Sequence, residues 1–274
     1  MPFLRFSIAS HRGGNDHAIR TRRVGVTVIH YHGTPMTPTP DMIRAFSGRH
    51  AFVSFENPEQ MEIAAEICQS VALDNGAFSA WRGGREHNFD GYQAWAADWL
   101  KHPAVDWCVI PDVIDGNEIA NDALLNAWQL PKELSVPVFH LHESLDRLER
   151  LVASYPRISL GSSGDYSEPG AAKWWGRMSE VMGVVCDGGG LPRVKLHGLR
   201  MLDPVIFSHL PLSSADSCNV ARNVGIDLAW NGPYAPKSRA SRALILMGRI
   251  EAHASASKWN SKTRGVQHNL ELIG

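Results

Sequence analysis

Eight times along the 274 residues, a short apolar, β-branched run gives way to a stretch with the spacing of an amphipathic helix. The runs are VGVTVI (24–29), AFVSF (51–55), VAL (71–73), WCVI (107–110), VPVFHL (136–141), RISL (157–160), RVKL (193–196) and LPLSS (210–214). The helical stretches are 40–47, 58–69, 91–100, 117–129, 144–153, 170–182, 203–209 and 240–253. Parallel strands need such crossovers, because tight turns join only antiparallel neighbours. Eight strand–helix units in a row predict an α/β fold, a (β/α)8 TIM barrel in a single domain, for which about 250 residues are typical. A doubly wound sheet is the rival, but no GxGxxG follows the first strand to support it. Asn57-Pro58 before EQMEIAAEICQS reads as an N-cap and a first-turn proline. Glu143-Ser144 opens LDRLERLVASY, whose apolar positions 145, 148, 151 and 152 share a face.

The barrel is expected over 24–255, between a basic N-terminal arm at 1–23 and a polar C-terminal tail at 256–274. At 44% apolar and 20% charged, the chain can bury a core of that size. No apolar run approaches the roughly 18 residues of a membrane span, and MPFLRFSIASHRGGNDH lacks the apolar centre of an export signal. Cys68, Cys108, Cys186 and Cys218 are too scattered for a disulfide framework or zinc ribbon. A cytoplasmic protein with no membrane partner is the expectation. The net charge of -1 hides an asymmetry, because 1–23 holds five Arg against Asp16, and 237–274 seven Lys or Arg against Glu251 and Glu271. The body is therefore acidic and both ends are basic, a distribution that suits a polyanion at the rim or a merely solvated surface.

In a barrel, chemistry belongs to the loops after the strands. Here nearly every such end is polar: His30-Tyr31-His32, Glu56-Asn57, Asp74-Asn75-Gly76, Pro111-Asp112, His140-Leu141-His142, Gly161-Ser162-Ser163, His197-Gly198-Leu199-Arg200 and Ala215-Asp216-Ser217. Two chemistries compete for them. The pairs His30/His32 and His140/His142 have period-two spacing, and with His197 and Asp216 they offer a ligand set of the metal-dependent amidohydrolase kind. Asp74, Asp112 and Asp216 end three different strands and offer the separated nucleophile and proton carrier of a glycosidic transfer.

The motifs DNGAF (74–78), PDVIDG (111–116), LGSSGD (160–165) and SADSCN (214–219), in that order, resemble the tRNA-guanine transglycosylase superfamily. Within it, they resemble the smaller bacterial or phage relatives that insert 7-deazaguanines into DNA. The resemblance implies Asp216 as nucleophile, Asp74 as general acid/base and Asp112 as reader of the heterocycle's edge. It implies base contacts from Gly161, Ser162 and Ser163, with Asn75, Phe78 and His197 in the same substrate-binding set. Either His140 or His142 stands where the family has a base-binding glutamine. No cysteine follows Cys218, so the zinc subdomain of the tRNA enzymes is not expected, and neither is a metal or other cofactor. The implied substrates are DNA and a free 7-deazaguanine base, in a bacterial or infected-host cytoplasm, with the oligomeric state left open.

The expected reaction is a double displacement at C1′, in which guanine leaves a covalent sugar–Asp216 intermediate and 7-cyano-7-deazaguanine or a derivative replaces it. The target nucleotide must leave the stack to reach such a pocket, where Tyr31, Phe78 or Trp81 is placed to stack on it. Acidic strand ends repel phosphates, so Lys237, Arg239, Arg242 and Arg200, together with Arg20, Arg22 and Arg23, are expected to carry the nucleic acid.

Overall fold

The structure is a computed structural model, in which residues 28–227, 230 and 235–261 are described. The arm with Arg20, Arg22 and Arg23, the expected start of the first strand, part of the 230–236 loop and most of the tail lie outside the described residues.

Among the described residues nine short strands form one parallel sheet: β1 (Ile29–Gly33), β2 (His50–Ser54), β3 (Ser70–Asp74), β4 (Val105–Val109), β5 (Ser135–Val136), β6 (Val138–His140), β7 (Arg157–Gly161), β8 (Lys195–Gly198) and β9 (Ser214–Ser217). Their order is β5-β4-β3-β2-β1-β9-β8-β7-β6. The two ends of that order are halves of one extended segment, divided by Pro137. Val136 pairs with Val109 of β4, and Val138 pairs with Ser159 of β7. Proline has no N–H to donate, but the Pro137 carbonyl still accepts from the Ser159 amide at 2.9 Å. Nine strands thus fill eight positions in a nearly closed, TIM-barrel-like ring.

The helices that follow are α1 (Thr39–Phe46), α2 (Met61–Ile67), α3 (Ala77–Arg82), α4 (Phe89–Trp99), α5 (Glu118–Ala127), α6 (Leu145–Ser154), α7 (Ala172–Val185), α8 (Pro204–Phe207), α9 (Asn219–Asn223) and α10 (Arg239–Glu251). Period-two alternation divides each strand between two cores. Tyr31, Phe52, Ala72, Trp107, Val109, Val136 and Val138 fill the barrel, while Ala51, Val53, Val71 and Leu73 pack outward against the helices. α6 forms as its pattern predicts. The Ser144 hydroxyl accepts the Arg147 amide at 3.2 Å, and Leu148 and Leu151 are buried, each contributing roughly 1.5–3 kcal/mol relative to exposure.

Four expectations shift. β1 extends to Gly33, so His30, Tyr31 and His32 lie within the strand, paired along β9, not in the loop after it. Tyr31 is consequently a barrel-core residue, donating to Asp106 at 3.0 Å and accepting from Trp107 Nε1 at 3.2 Å, which removes it as a stacking group at the mouth. α2 begins three residues later than Asn57-Pro58 predicts. Buried Gln60 brackets both backbone groups of Met36 at 2.9 and 2.7 Å, holding the preceding residues in turns. α3 follows the DNGAF turn where no helix was expected.

Candidate active site

The alternation that sends Phe52, Ala72 and Val138 into the barrel carries Asp74 and His140 to its C-terminal mouth. Asp216 reaches the same level from β9, in register with Tyr31. These three border a cavity of about 310 Å³, whose lining also includes Asn75, Phe78, Asp112, Gly161, Ser162, Arg200 and Arg222. That volume lies at the lower end of the ~300–1,000 Å³ typical of small-ligand sites.

Asp74 ends β3 where the backbone turns sharply. Gly76 sits at φ 80, and a Cβ there would come within 2.5 Å of Glu56 Cγ, so only glycine fits. The Asn75 carboxamide oxygen accepts the Ala77 amide at 2.8 Å and starts α3. Burial, then the neighbouring Asp216 and Asp112 carboxylates, push the Asp74 carboxyl up to about 7. A carboxyl titrating there can both give and take a proton near neutrality.

Asp216 is buried and held through one oxygen. Its Oδ1 accepts the Arg200 amide at 2.9 Å and faces His197 Nε2 at 3.3 Å. Arg200 adopts φ 57 to present that amide, a left-handed conformation that costs about 1–3 kcal/mol in a non-glycine residue. His197 is fully buried among Trp107, Phe52 and Tyr31, and burial lowers its pKa, favouring the neutral ring. Its Nδ1 lies 2.8 Å from the Ser214 hydroxyl, and its Nε2 is the ring atom next to Asp216. His197 thus lies a layer beneath the cavity, behind Asp216 and Phe52. Adjacent Cys218 is no rival nucleophile, since burial pushes its thiol up to about 12.

Asp112 follows β4, and both its oxygens are engaged. Oδ1 accepts from Asn75 Nδ2 at 2.6 Å and Oδ2 from His140 Nε2 at 2.8 Å. Each carboxylate oxygen keeps a further lone pair for a ligand. His140 is fixed in turn by a buried ion network. Glu143 accepts the His140 amide at 2.8 Å and pairs with Arg147 at 2.6 Å, which also reaches Asp122 at 2.8 Å.

His140 lines the cavity, whereas His142 points away to Ser163 Oγ at 2.7 Å and the Gly116 carbonyl at 3.0 Å. Ser162 lines the cavity, and its hydroxyl accepts from Trp174 at 2.9 Å. Ser163 is buried against His142 outside the lining. His30 and His32 share the outer face of β1. They reach the His253 carbonyl at 3.1 Å and Glu251 at 3.0 Å respectively. The histidine constellation is therefore split between the helix layer, the barrel interior and the mouth. Among the described residues no group of three or more His, Cys, Asp or Glu side chains is arranged to hold a metal ion.

Lys237 is exposed just before α10. Arg239 and Arg242 lean on α9 and the turn after it, reaching the Ala221 and Gly225 carbonyls at 3.5 Å; neither lines the cavity. Arg200 does line it, its guanidinium 3.8 Å from the centre of the Phe78 ring. Sequence reasoning missed Arg222, Asn219 and Asn223, which α9 turns toward the mouth. Their only signal was position directly after SADSC.

Comparison with protein-family models, with curated proteins and with solved structures returns no match. The fold is a parallel, nearly closed α/β barrel, and its buried ionisable groups converge as they do in an enzyme's active-site region. No helix among the described residues is long and apolar enough to cross a membrane.

Proposed function

We propose that the chain is a transglycosylase that exchanges guanine in DNA for a 7-deazaguanine base such as 7-cyano-7-deazaguanine. The observation that carries this reading is one cavity bordered by carboxyl groups in contrasting environments. Asp74 is raised to about 7, while Asp216 has one oxygen engaged by the Arg200 amide at 2.9 Å and leaves the other to react.

In this mechanism Asp216 Oδ2 attacks C1′ as the C1′–N9 bond breaks, and the bonding pair leaves on N9. Protonated Asp74 delivers its proton to the departing guanine. The deazaguanine then enters, Asp74 takes its N9 proton, and N9 displaces Asp216 from C1′. Two inversions restore the original configuration. Asp112 accepts from N1–H and the adjacent 2-amino group, a donor pair that an adenine edge lacks. Asn75 and His140 orient Asp112, Phe78 supplies a face for the base, and the Gly161–Ser163 segment supplies polar backbone groups. Lys237, Arg239 and Arg242 extend positive charge away from Arg222 along the incoming strand. Neither a metal nor an organic cofactor is required by these steps.

The test is mass spectrometry of nucleosides from DNA and tRNA, each incubated with protein and 7-cyano-7-deazaguanine. The expected product is the modified deoxynucleoside, with none formed by Asp216→Asn. Modification of tRNA alone, or a covalent DNA adduct of Asp216→Asn at wild-type yield, would overturn the reading.

A further inference from the structure

Two side chains at the lip of the cavity lack the partners that such groups normally find. Trp81, on α3, is 47% exposed and its ring packs 5.8 Å, centroid to centroid, from that of cavity-lining Phe78. Arg222, on α9, is exposed and lines the cavity, and its guanidinium makes no hydrogen bond or ion pair among the described residues. Arg85, near the same mouth, is by contrast held by Glu56 at 2.6 Å. Arg200 has only the Ser162 carbonyl at 3.4 Å and the Phe78 face. Both guanidinium-bearing residues line the same cavity.

The mouth is therefore polarised, with carboxyl groups on its floor and cations beside an exposed indole on its lip. A free heterocyclic base needs only the floor. The lip fits a chain that carries both phosphates and exposed base faces, and in a duplex those faces are covered by stacking.

We propose that this lip is a docking surface for an unpaired DNA strand, with Trp81 stacking a base that flanks the target and Arg200 and Arg222 clamping the adjoining phosphates. The choice of DNA rests on the base-exchange reading; the stacking and the clamp rest on the lip itself.

The test is fluorescence anisotropy of a labelled 12-nucleotide single strand, its duplex and its RNA counterpart against the full chain, at several salt concentrations. Trp81→Ala should weaken binding of the single DNA strand by about 5- to 150-fold, the loss of one base–aromatic stack. Arg222→Gln should reduce the salt slope by about 0.7. Lys195→Gln, at the other end of the barrel, should change neither, and melting temperatures should be equal because all three side chains are exposed. Wild-type affinity and slope in both lip variants would overturn the proposal, as would tighter binding of duplex or of RNA. Labelled-guanine exchange is scored separately: lip variants that lose binding while wild type shows no exchange refute the reaction and keep the surface. Exchange with unaltered binding in Trp81→Ala does the reverse.

Discussion

Replacing Asp74 by Asn should stabilise the folded protein at alkaline pH and leave its stability unchanged in acid. In the fold this carboxyl titrates at about 7, against an ordinary 3.8. Its folded pKa is raised, so the folded state holds the proton more tightly than the unfolded chain does. Below pH 3.8 both states are protonated and the site costs nothing. Between 3.8 and 7 the unfolded chain ionises while the fold does not, and the penalty grows; above 7 it is complete. At about 1.36 kcal/mol per pH unit the full shift corresponds to ~4 kcal/mol. Part of Asp74 faces the cavity and its water, which reduces the expected gain to about 2–4 kcal/mol. Asn keeps the shape without the charge and relieves the repulsion from Asp216 and Asp112. At pH 8.5 the variant should therefore melt about 5–15 °C above wild type, taking ~2–4 °C per kcal/mol for a domain of this size. Paired urea or thermal unfolding curves at pH 4, 5.5, 7 and 8.5 give the measurement. A constant advantage at every pH, or none at pH 8.5, would refute the argument that burial and neighbouring carboxylates protonate Asp74. The same variant should lose base exchange at all pH values.

Three further outcomes follow from the geometry. His197→Phe fills the barrel but removes the polar ring nitrogen 3.3 Å from Asp216 Oδ1, so kcat should fall about 10- to 100-fold with KM nearly unchanged; His197→Gln should restore part of the loss, and wild-type kcat in the Phe variant would exclude a positioning role. Arg147→Met leaves Glu143 buried without its cation and should cost about 3–5 kcal/mol in urea unfolding; a loss below about 1 kcal/mol would show the network to be incidental. Asp112→Asn should raise KM for the incoming base about 10- to 100-fold while changing kcat less, because it removes binding made throughout the reaction, and an unchanged KM would take Asp112 out of base recognition.

The strand–helix alternation was legible because it is local: a period of two against one of 3.6 can be counted without knowing which strands become neighbours. The same counting placed Asp74, Asp112 and Asp216 at strand ends, and those ends converge in any such barrel. α3 escaped because six residues are too few to show a helical period, and its start depends on the Asn75 side chain rather than on a Ser or Asp cap. The pairs His30/His32 and His140/His142 look alike in sequence, yet β1 turns its pair outward to the His253 carbonyl just after α10 and to Glu251, while β6 turns His140 inward to Asp112. Nothing local distinguishes them, because facing direction is set by the register with β9 and β7. The chain by itself determined the eight-position α/β ring and the acidic residues at its mouth, since both follow from spacing along the backbone. Only the tertiary structure decided which oxygen of Asp216 is held, which histidine meets Asp112 and why Asp74 keeps its proton, because burial and contacts between distant strands exist only once the ring forms.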